Sequence, residues 1–218
     1  MAQVPLKNPR YEAVVFDFDG VLVDSEEIKV KAFEALYAEE GPEIVGEVVR
    51  YHRAHFGVSR LMKFKYFEET LLKRPYTPET EEDLARRFSE MVEGQVVGAP
   101  WMPGALEFLE HHSRSLPLYV ASGTPDGEIQ RIVEKRGIRR HFRGVYGSPP
   151  DKAGILARIV TQGGFHPERV LMVGDARADH EGAMRAGVVF LGCGRGQDGG
   201  LTGPKIPDLT HLESRVFG

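Results

Sequence analysis

The chain has 218 residues, 41% of them apolar and 28% charged, and carries a formal net charge of −4. That composition excludes intrinsic disorder and low complexity, and the length suits one core domain with a substantial insertion. A single cysteine, Cys193, cannot close an internal disulfide, so a reducing cytoplasm is the expected compartment. No segment approaches the roughly 20 apolar residues of a membrane span, and the opening MAQVPLKNPRYE has no apolar stretch of signal-peptide length.

Ala13-Val14-Val15-Phe16 is a short apolar run that ends in Asp17, the pattern of a buried strand. Residues 26–95 read as helical throughout, with apolar spacings such as Phe33, Leu36, Tyr37 and Leu61, Phe64, Phe67/Leu71. They are expected to form a helical insertion that ends in the helix-breaking stretch Gly94…Gly98-Ala99-Pro100. Residues 25–95 hold 11 Lys/Arg against 15 Asp/Glu and so account for the net charge, yet residues 50–74 hold seven basic and only two acidic residues. Aromatics interleave with that basic run (Tyr51, Phe56, Phe64, Tyr66, Phe67). Three readings fit: a nucleic-acid surface, an anionic-substrate pocket, or a solvated helix face backed by core aromatics. The solvated face is the simplest, and no nucleic-acid partner is expected. The pairs His52/His55 and His111/His112 lack the cysteines or carboxylates of a metal site and read as surface or packing residues.

Pro103-Gly104 opens a helix that runs to His112. Three further strand-like runs follow: Leu118–Ala121 ending at Ser122, Val170–Val173 ending at Gly174-Asp175, and Val188–Leu191. Helix-like stretches at about 126–136, 152–162 and 179–186 alternate with them. Strand alternating with helix predicts an α/β fold whose parallel sheet is covered on both faces. Such folds bind ligands at the carboxyl edge of the sheet, where Asp17, Ser122 and Asp175 converge. The string Gly194-Arg195-Gly196-Gln197-Asp198-Gly199 matches a dinucleotide fingerprint. Gly200 and Pro204 oppose the helix that must follow it, so it reads as a surface loop.

Four strings carry the chemistry. Asp17-Phe18-Asp19-Gly20 puts two carboxylates at a strand-to-loop turn, where Gly20 lets the backbone swing sharply. Ala121-Ser122-Gly123-Thr124 offers a hydroxyl and an amide to an anion. Lys152 opens a helix, where the dipole disfavours a cation, so an anionic partner is expected there. Val173-Gly174-Asp175-Ala176-Arg177-Ala178-Asp179 ends a strand on a further pair of aspartates.

In this order the strings resemble the four motifs of the haloacid dehalogenase superfamily, in its phosphatase branch with a helical cap after the first motif. The resemblance covers about residues 11–192. It implies a Rossmann-like core from residues 1–24 and 96–218, and a small all-α cap from residues 25–95. It also implies hydrolysis of a small phosphorylated metabolite. Asp17 is then the nucleophile and Asp19 the acid–base residue, with Ser122, Gly123 and Lys152 on the phosphoryl group. Magnesium is held by Asp17, the backbone carbonyl of Asp19 and Asp175, with Asp179 behind them. Nearby carboxylates are expected to keep Asp19 protonated. Many relatives carry Ser or Thr where this chain has Ala176. Gly57-Val58-Ser59-Arg60 looks like the cap loop that holds a distal phosphate in β-phosphoglucomutase-like members, making Arg60 the candidate reader of the leaving group. A sugar phosphomutase is therefore the runner-up, disfavoured because Lys29 stands where the mutase hinge has a histidine. A non-catalytic binding protein on the same fold comes third.

Overall fold

The computed structural model describes residues 9–194, 201 and 203–218. Strand β1 (Ala13–Phe16) is buried at all four positions. It leads into a run of helices: α1 (Glu26–Leu36), α2 (Pro42–Ala54), α3 (Arg60–Tyr66, continued by a wider turn over Phe67–Leu71) and α4 (Pro78–Gly98). Thr77 caps α4 by accepting the Thr80 N–H at 3.3 Å, and Pro78 occupies the first turn, where its missing N–H costs nothing. α4 runs through Gly94 and ends at Gly98, within the expected helix-breaking stretch. Val92 and Val96 anchor the helix on the core on either side, and one interior glycine costs only about 1 kcal/mol.

The helical segment packs around Phe33, whose ring meets Phe64, Phe67 and Phe88 at centroid distances of 5.8, 5.7 and 4.5 Å. The aromatics Phe64 and Phe67 of the basic run are therefore interior. Its cations divide: Arg50, Arg53 and Arg74 pair on the surface with Glu47, Glu27 and Glu40, whereas Arg60 and Lys63 are buried.

Beyond α4 come α5 (Ala105–His112), β2 (Leu118–Pro125), α6 (Asp126–Lys135), β3 (Gly144–Ser148), α7 (Lys152–Gly163), β4 (Val170–Gly174), α8 (Arg177–Ala186), β5 (Val189–Cys193), β6 (Lys205–Ile206) and α9 (Leu212–Phe217). The six strands form one sheet in the order β3-β2-β1-β4-β5-β6, and each neighbouring pair is parallel. A parallel sheet is covered on both faces, which is why β1 and β4 read as unbroken apolar runs. Period-two alternation then divides them. Val14, Phe16, Leu171 and Val173 enter one core with the helical segment, α5, α6 and α9, while Ala13, Val15, Val170 and Met172 enter the other with α7 and α8.

Three elements escaped the sequence reading. β3 carries two glycines in five residues, β6 is two residues long, and α9 has only six. β2 also runs on to Pro125, with a register irregularity after Ala121, so Ser122 lies within it rather than after it. Residues 195–199 of the glycine-rich string lie outside the described residues. Among those described, no helix is long and apolar enough to cross a membrane. The order of the sheet reverses at β1, whose neighbours lead off in opposite directions. Ligands of such sheets bind outside the carboxyl ends of the strands at that switch point, and Asp17 stands there.

Candidate active site

Asp17 follows β1 directly and is buried, its Oδ1 accepting the Phe18 N–H at 2.6 Å. Lys152, the first residue of α7, reaches the same Oδ1 at 2.7 Å and Asp179 Oδ1 at 2.5 Å. The anionic partner expected of a lysine at a helix start is thus two carboxylates. The helix itself is capped by Asp151, which accepts the Gly154 N–H at 3.0 Å. Asp179 uses its other oxygen to accept the Ala176 N–H at 3.1 Å, closing the first turn of α8. Gly20 has φ +79, and a Cβ there would overlap Asp175 Oδ2. Only glycine lets the first loop approach Asp175 so closely.

Ligand oxygens of Asp17, Asp175 and Asp179 lie within 4.8 Å of one another. Glu26, at the start of α1, is hydrogen-bonded to Asp175, an arrangement that needs one proton between two carboxyl groups. Burial, helped by Asp179, pushes the Asp17 carboxyl up to about 7 against the pull of Lys152. Burial together with Asp17 and Asp179 pushes Asp175 well above the ordinary carboxylate range. Burial opposes the charge on Lys152, but the two aspartates overcome it and hold the lysine protonated. Four carboxyl groups against one ammonium cannot all ionise in a low dielectric without a further cation. A divalent cation with oxygen ligands would replace the protons that crowding holds on them.

The expectation that crowding keeps Asp19 protonated is corrected. Burial does favour its neutral form, but Lys29 beside it prevails, and the carboxyl is held below its usual range. Lys29 Nζ pairs with Asp19 Oδ2, Ser25 donates to Oδ1 at 2.6 Å, and Thr124 donates to Oδ2 at 3.2 Å. Lys29 also donates to Thr124 Oγ1 at 3.0 Å, so α1, β2 and the first loop are tied together at Asp19. Ser122 is fully buried and its Oγ accepts the Thr124 N–H at 3.1 Å.

The α2–α3 loop closes over these groups. Gly57 has φ +75, and a Cβ on it would stand 3.1 Å from the Cβ of Ala176 and 3.2 Å from that of Ala178. A Cβ on Gly123 would stand 2.5 Å from the Gly57 carbonyl oxygen. Small residues on three segments thus admit the loop, and Ala176, in place of a hydroxyl residue, is one of them. Beneath it lies a cavity of about 50 Å³ bounded by Asp17, Asp19, Thr124, Lys29, Lys63 and Phe56. A wider cleft of about 920 Å³ adjoins it and shares Glu26, Phe56, Val58 and Asp175.

Arg60, the expected reader of a leaving group, faces the same cavity but is engaged elsewhere. Its Nη1 and Nη2 bind Glu128 of α6 at 3.0 and 2.6 Å, Nη2 also donates to Ser89 at 2.7 Å, and its guanidinium lies 5.0 Å from the centre of the Phe88 ring. Both partners are buried, at 8% and 3% exposure, so the pair links the helical segment to the sheet domain. His52 is neither a surface nor a simple packing residue. It is buried, accepts from Lys63 Nζ at 2.8 Å, and lines the cavity.

The predicted residues Asp17, Asp19, Lys152, Asp175 and Asp179 therefore meet at one place, with Ser122 and Gly123 on the adjoining strand. Sequence reasoning missed Glu26, Thr124, Lys63 and His52 as members of the site. Glu26 adjoins the first motif and Thr124 ends the second. Lys63 stands three residues after Arg60, hence on the same helix face.

An open parallel α/β sheet with a carboxylate nucleophile candidate at its switch point defines a class of hydrolases and transferases. The profile of the haloacid dehalogenase-like hydrolase family matches residues 14–193, and the chain belongs to that family. It is 26% identical over 190 residues to a phosphoglycolate phosphatase of Synechococcus elongatus, covering 83% of this chain and 82% of the relative. It is 29% identical over 196 residues to a 5′-nucleotidase of Pseudomonas aeruginosa, covering 86% and 84%. The structure of a β-phosphoglucomutase from Clostridium difficile shares the fold, with a TM-score of 0.76 at 18% identity, covering 93% of each chain.

Proposed function

We propose that this chain is a magnesium-dependent phosphatase of small phosphorylated metabolites that works through an aspartyl-phosphate on Asp17. The observation that carries the reading is the shared contact of Lys152 with Asp17 and Asp179 beside Asp175, whose partner is the carboxyl of Glu26 rather than a cation. It makes the floor of the site a receptor for a dication and a phosphoryl group together. Asp17, Asp175 and the Asp19 carbonyl would hold magnesium, a hard ion suited to oxygen donors. Both oxygens of Asp179 are already engaged, which leaves it to position Lys152. When bound, the ion would neutralise phosphate charge that otherwise repels a carboxylate nucleophile.

The chain's own groups would do the rest. Asp17 Oδ attacks phosphorus and the ester oxygen departs with a proton. Lys152, Ser122 and the Gly123 amide receive the phosphoryl oxygens. Asp19, ionised in this closed arrangement, is the base that takes a proton from the water that hydrolyses the acyl phosphate. To act earlier as the acid it must be released by Lys29. That lysine sits on α1, so movement of the helical segment as a cap would free it. A mutase would carry the same aspartyl-phosphate, but Lys29 occupies the hinge position of the mutase histidine. Residues 25–95 are assigned as the cap and residues 1–24 and 96–218 as the core, with a reducing cytoplasm as the compartment.

The test is phosphate release from a panel of phosphomonoesters with magnesium and with excess chelator. Release that depends on the metal is expected. Release that persists in chelator, or label reappearing on a second hydroxyl of a phosphosugar, would overturn the reading.

A further inference from the structure

The phosphatase chemistry leaves one group unexplained. Lys63, on α3, is 3% exposed and lines the small cavity that also holds Asp17. Among the described residues no carboxylate lies within ion-pair reach of its ammonium. Its hydrogen-bond partner is the ring of His52, at 2.8 Å. An ammonium has no lone pair, so it donates to His52 Nδ1, which places the histidine's own hydrogen on Nε2. That Nε2 is buried and has no partner. The other cations around the cavity are matched, Lys29 by Asp19 and Arg60 by Glu128. A lysine buried against a neutral ring costs stability, and proteins rarely keep one without use. The remaining Lys63 hydrogens and the His52 Nε2–H are buried donors without acceptors among the described residues, and both residues line this cavity.

Resting on the phosphatase reading, we propose that Lys63, oriented by His52, selects the leaving group, and that the substrate is a short phosphorylated carboxylic acid. The phosphoryl end would lie over Asp17 on the floor and the carboxylate would meet Lys63 on the roof. Arg60, saturated by Glu128, would hold the roof closed. The volume sets the length. At about 50 Å³ the space between floor and roof is small, which suits a leaving group of two or three carbons better than a hexose. His52 neutralises no part of the lysine's charge, so the substrate carboxylate is the counter-ion that the fold omits.

The experiment compares 2-phosphoglycolate with ethyl phosphate, which has the same two carbons but no carboxylate. The native enzyme should favour the acid by at least about 10-fold in kcat/KM, the scale of one charge-assisted contact. Lys63→Met, which keeps the length of the stem, should reduce that ratio by about 10- to 150-fold. Its melting temperature should not fall, whereas a merely structural lysine would lower it when removed. Equal kcat/KM for the two esters in the native enzyme would overturn the proposal whatever the variant does. So would a preference for a two-carbon bisphosphate over the acid. A calorimetric arm separates this inference from the phosphatase reading. In an Asp17→Asn background with magnesium, the acid should bind at least about 10-fold more tightly than ethyl phosphate, and adding Lys63→Met should remove the difference. If no ester is hydrolysed, the phosphatase reading fails and the binding ratio alone decides the role of Lys63. Equal or absent binding of both esters overturns that role.

Discussion

The molecule buries two lysines within one site and treats them oppositely. Lys152, on the sheet side, lies between Asp17 and Asp179, and both carboxylates raise its affinity for the proton against the effect of burial. Lys63, on the helical side, lies against a neutral histidine. Burial lowers it to about 7, with Lys29 adding to the shift. The first is a cation that the fold has already matched, inside a floor where carboxylates remain in excess. The second is a cation that the fold has left unmatched. On the proposed function, the contrast assigns ligand charge to two places: positive on the floor, beside Asp175, and negative on the roof. Buried ion pairs add little net stability, but each half becomes costly when left alone. An unmatched buried charge therefore marks function more reliably than a matched one.

The largest expected effect tests the floor. Asp17→Asn should fold normally and lose phosphate release by at least about 10⁴-fold, because an amide neither attacks phosphorus nor carries the phosphoryl group. A variant rate within about tenfold of the native rate would remove the nucleophile from the mechanism.

Lys152→Met and Lys63→Met then test the comparison directly. Removing Lys152 strands Asp17 and Asp179 without their cation and should destabilise the fold by about 3–5 kcal/mol in denaturant titration. Removing Lys63 strands no charge and leaves only the neutral His52 Nδ1 without its donor. If both variants lose similar stability, the two lysines are not the opposites described above.

A smaller effect is expected at the latch between the two regions. Arg60→Met should lower kcat/KM for an acidic and a neutral ester alike, since Arg60 binds Glu128 rather than open cavity. In a double-mutant cycle with Glu128→Met, the coupling in stability should be about 0.5–3 kcal/mol. A loss confined to the acidic ester would instead restore Arg60 as the reader of the leaving group.

The smallest effect is a pH dependence. The folded-state affinity of Lys63 for its proton is depressed from the ordinary 10.5 to about 7, while Lys29 on α1, His52 on α2 and Asp19 on the first loop face it. Below about pH 7 the lysine is charged in both folded and unfolded states, and the fold bears the full cost of the buried charge. Between about 7 and 10.5 the folded protein sheds the proton first, and that cost disappears. The melting temperature of Lys63→Met should therefore exceed the native value most at or below pH 7 and converge with it toward pH 10.5. A gain that grows with pH would contradict the sign.

Much of the floor was legible in the sequence because each of its residues is fixed by local structure. Asp17 and Asp175 follow apolar strands, Lys152 opens a helix, and Gly20 supplies a positive φ, so order along the chain and strand direction suffice to bring them to one edge. The four principal strands were readable for the same reason, since a doubly covered parallel sheet writes unbroken apolar runs. β3 was hidden by its glycines. The end of α4 fell within the expected stretch, and the helix passes Gly94 because packing of Val92 and Val96 outweighs a propensity difference of about 1 kcal/mol.

The chain by itself thus determined the alternation of strand and helix, the helical character of residues 26–95, and the order of the chemical strings. Only the tertiary structure decided the state of the groups those strings supply. Lys29 comes from α1, ten residues beyond Asp19, and turns an expected acid into a carboxylate. Glu128 comes from α6, 68 residues beyond Arg60, and takes an expected substrate ligand out of service. His52 and Lys63 come from successive helices of a run that read as a solvated basic face. Folding turned these two inward, onto the cavity. Charge and protonation depend on which groups share a low-dielectric space. Sequence spacing fixes that within a helical turn or a strand end, but not across elements brought together by packing.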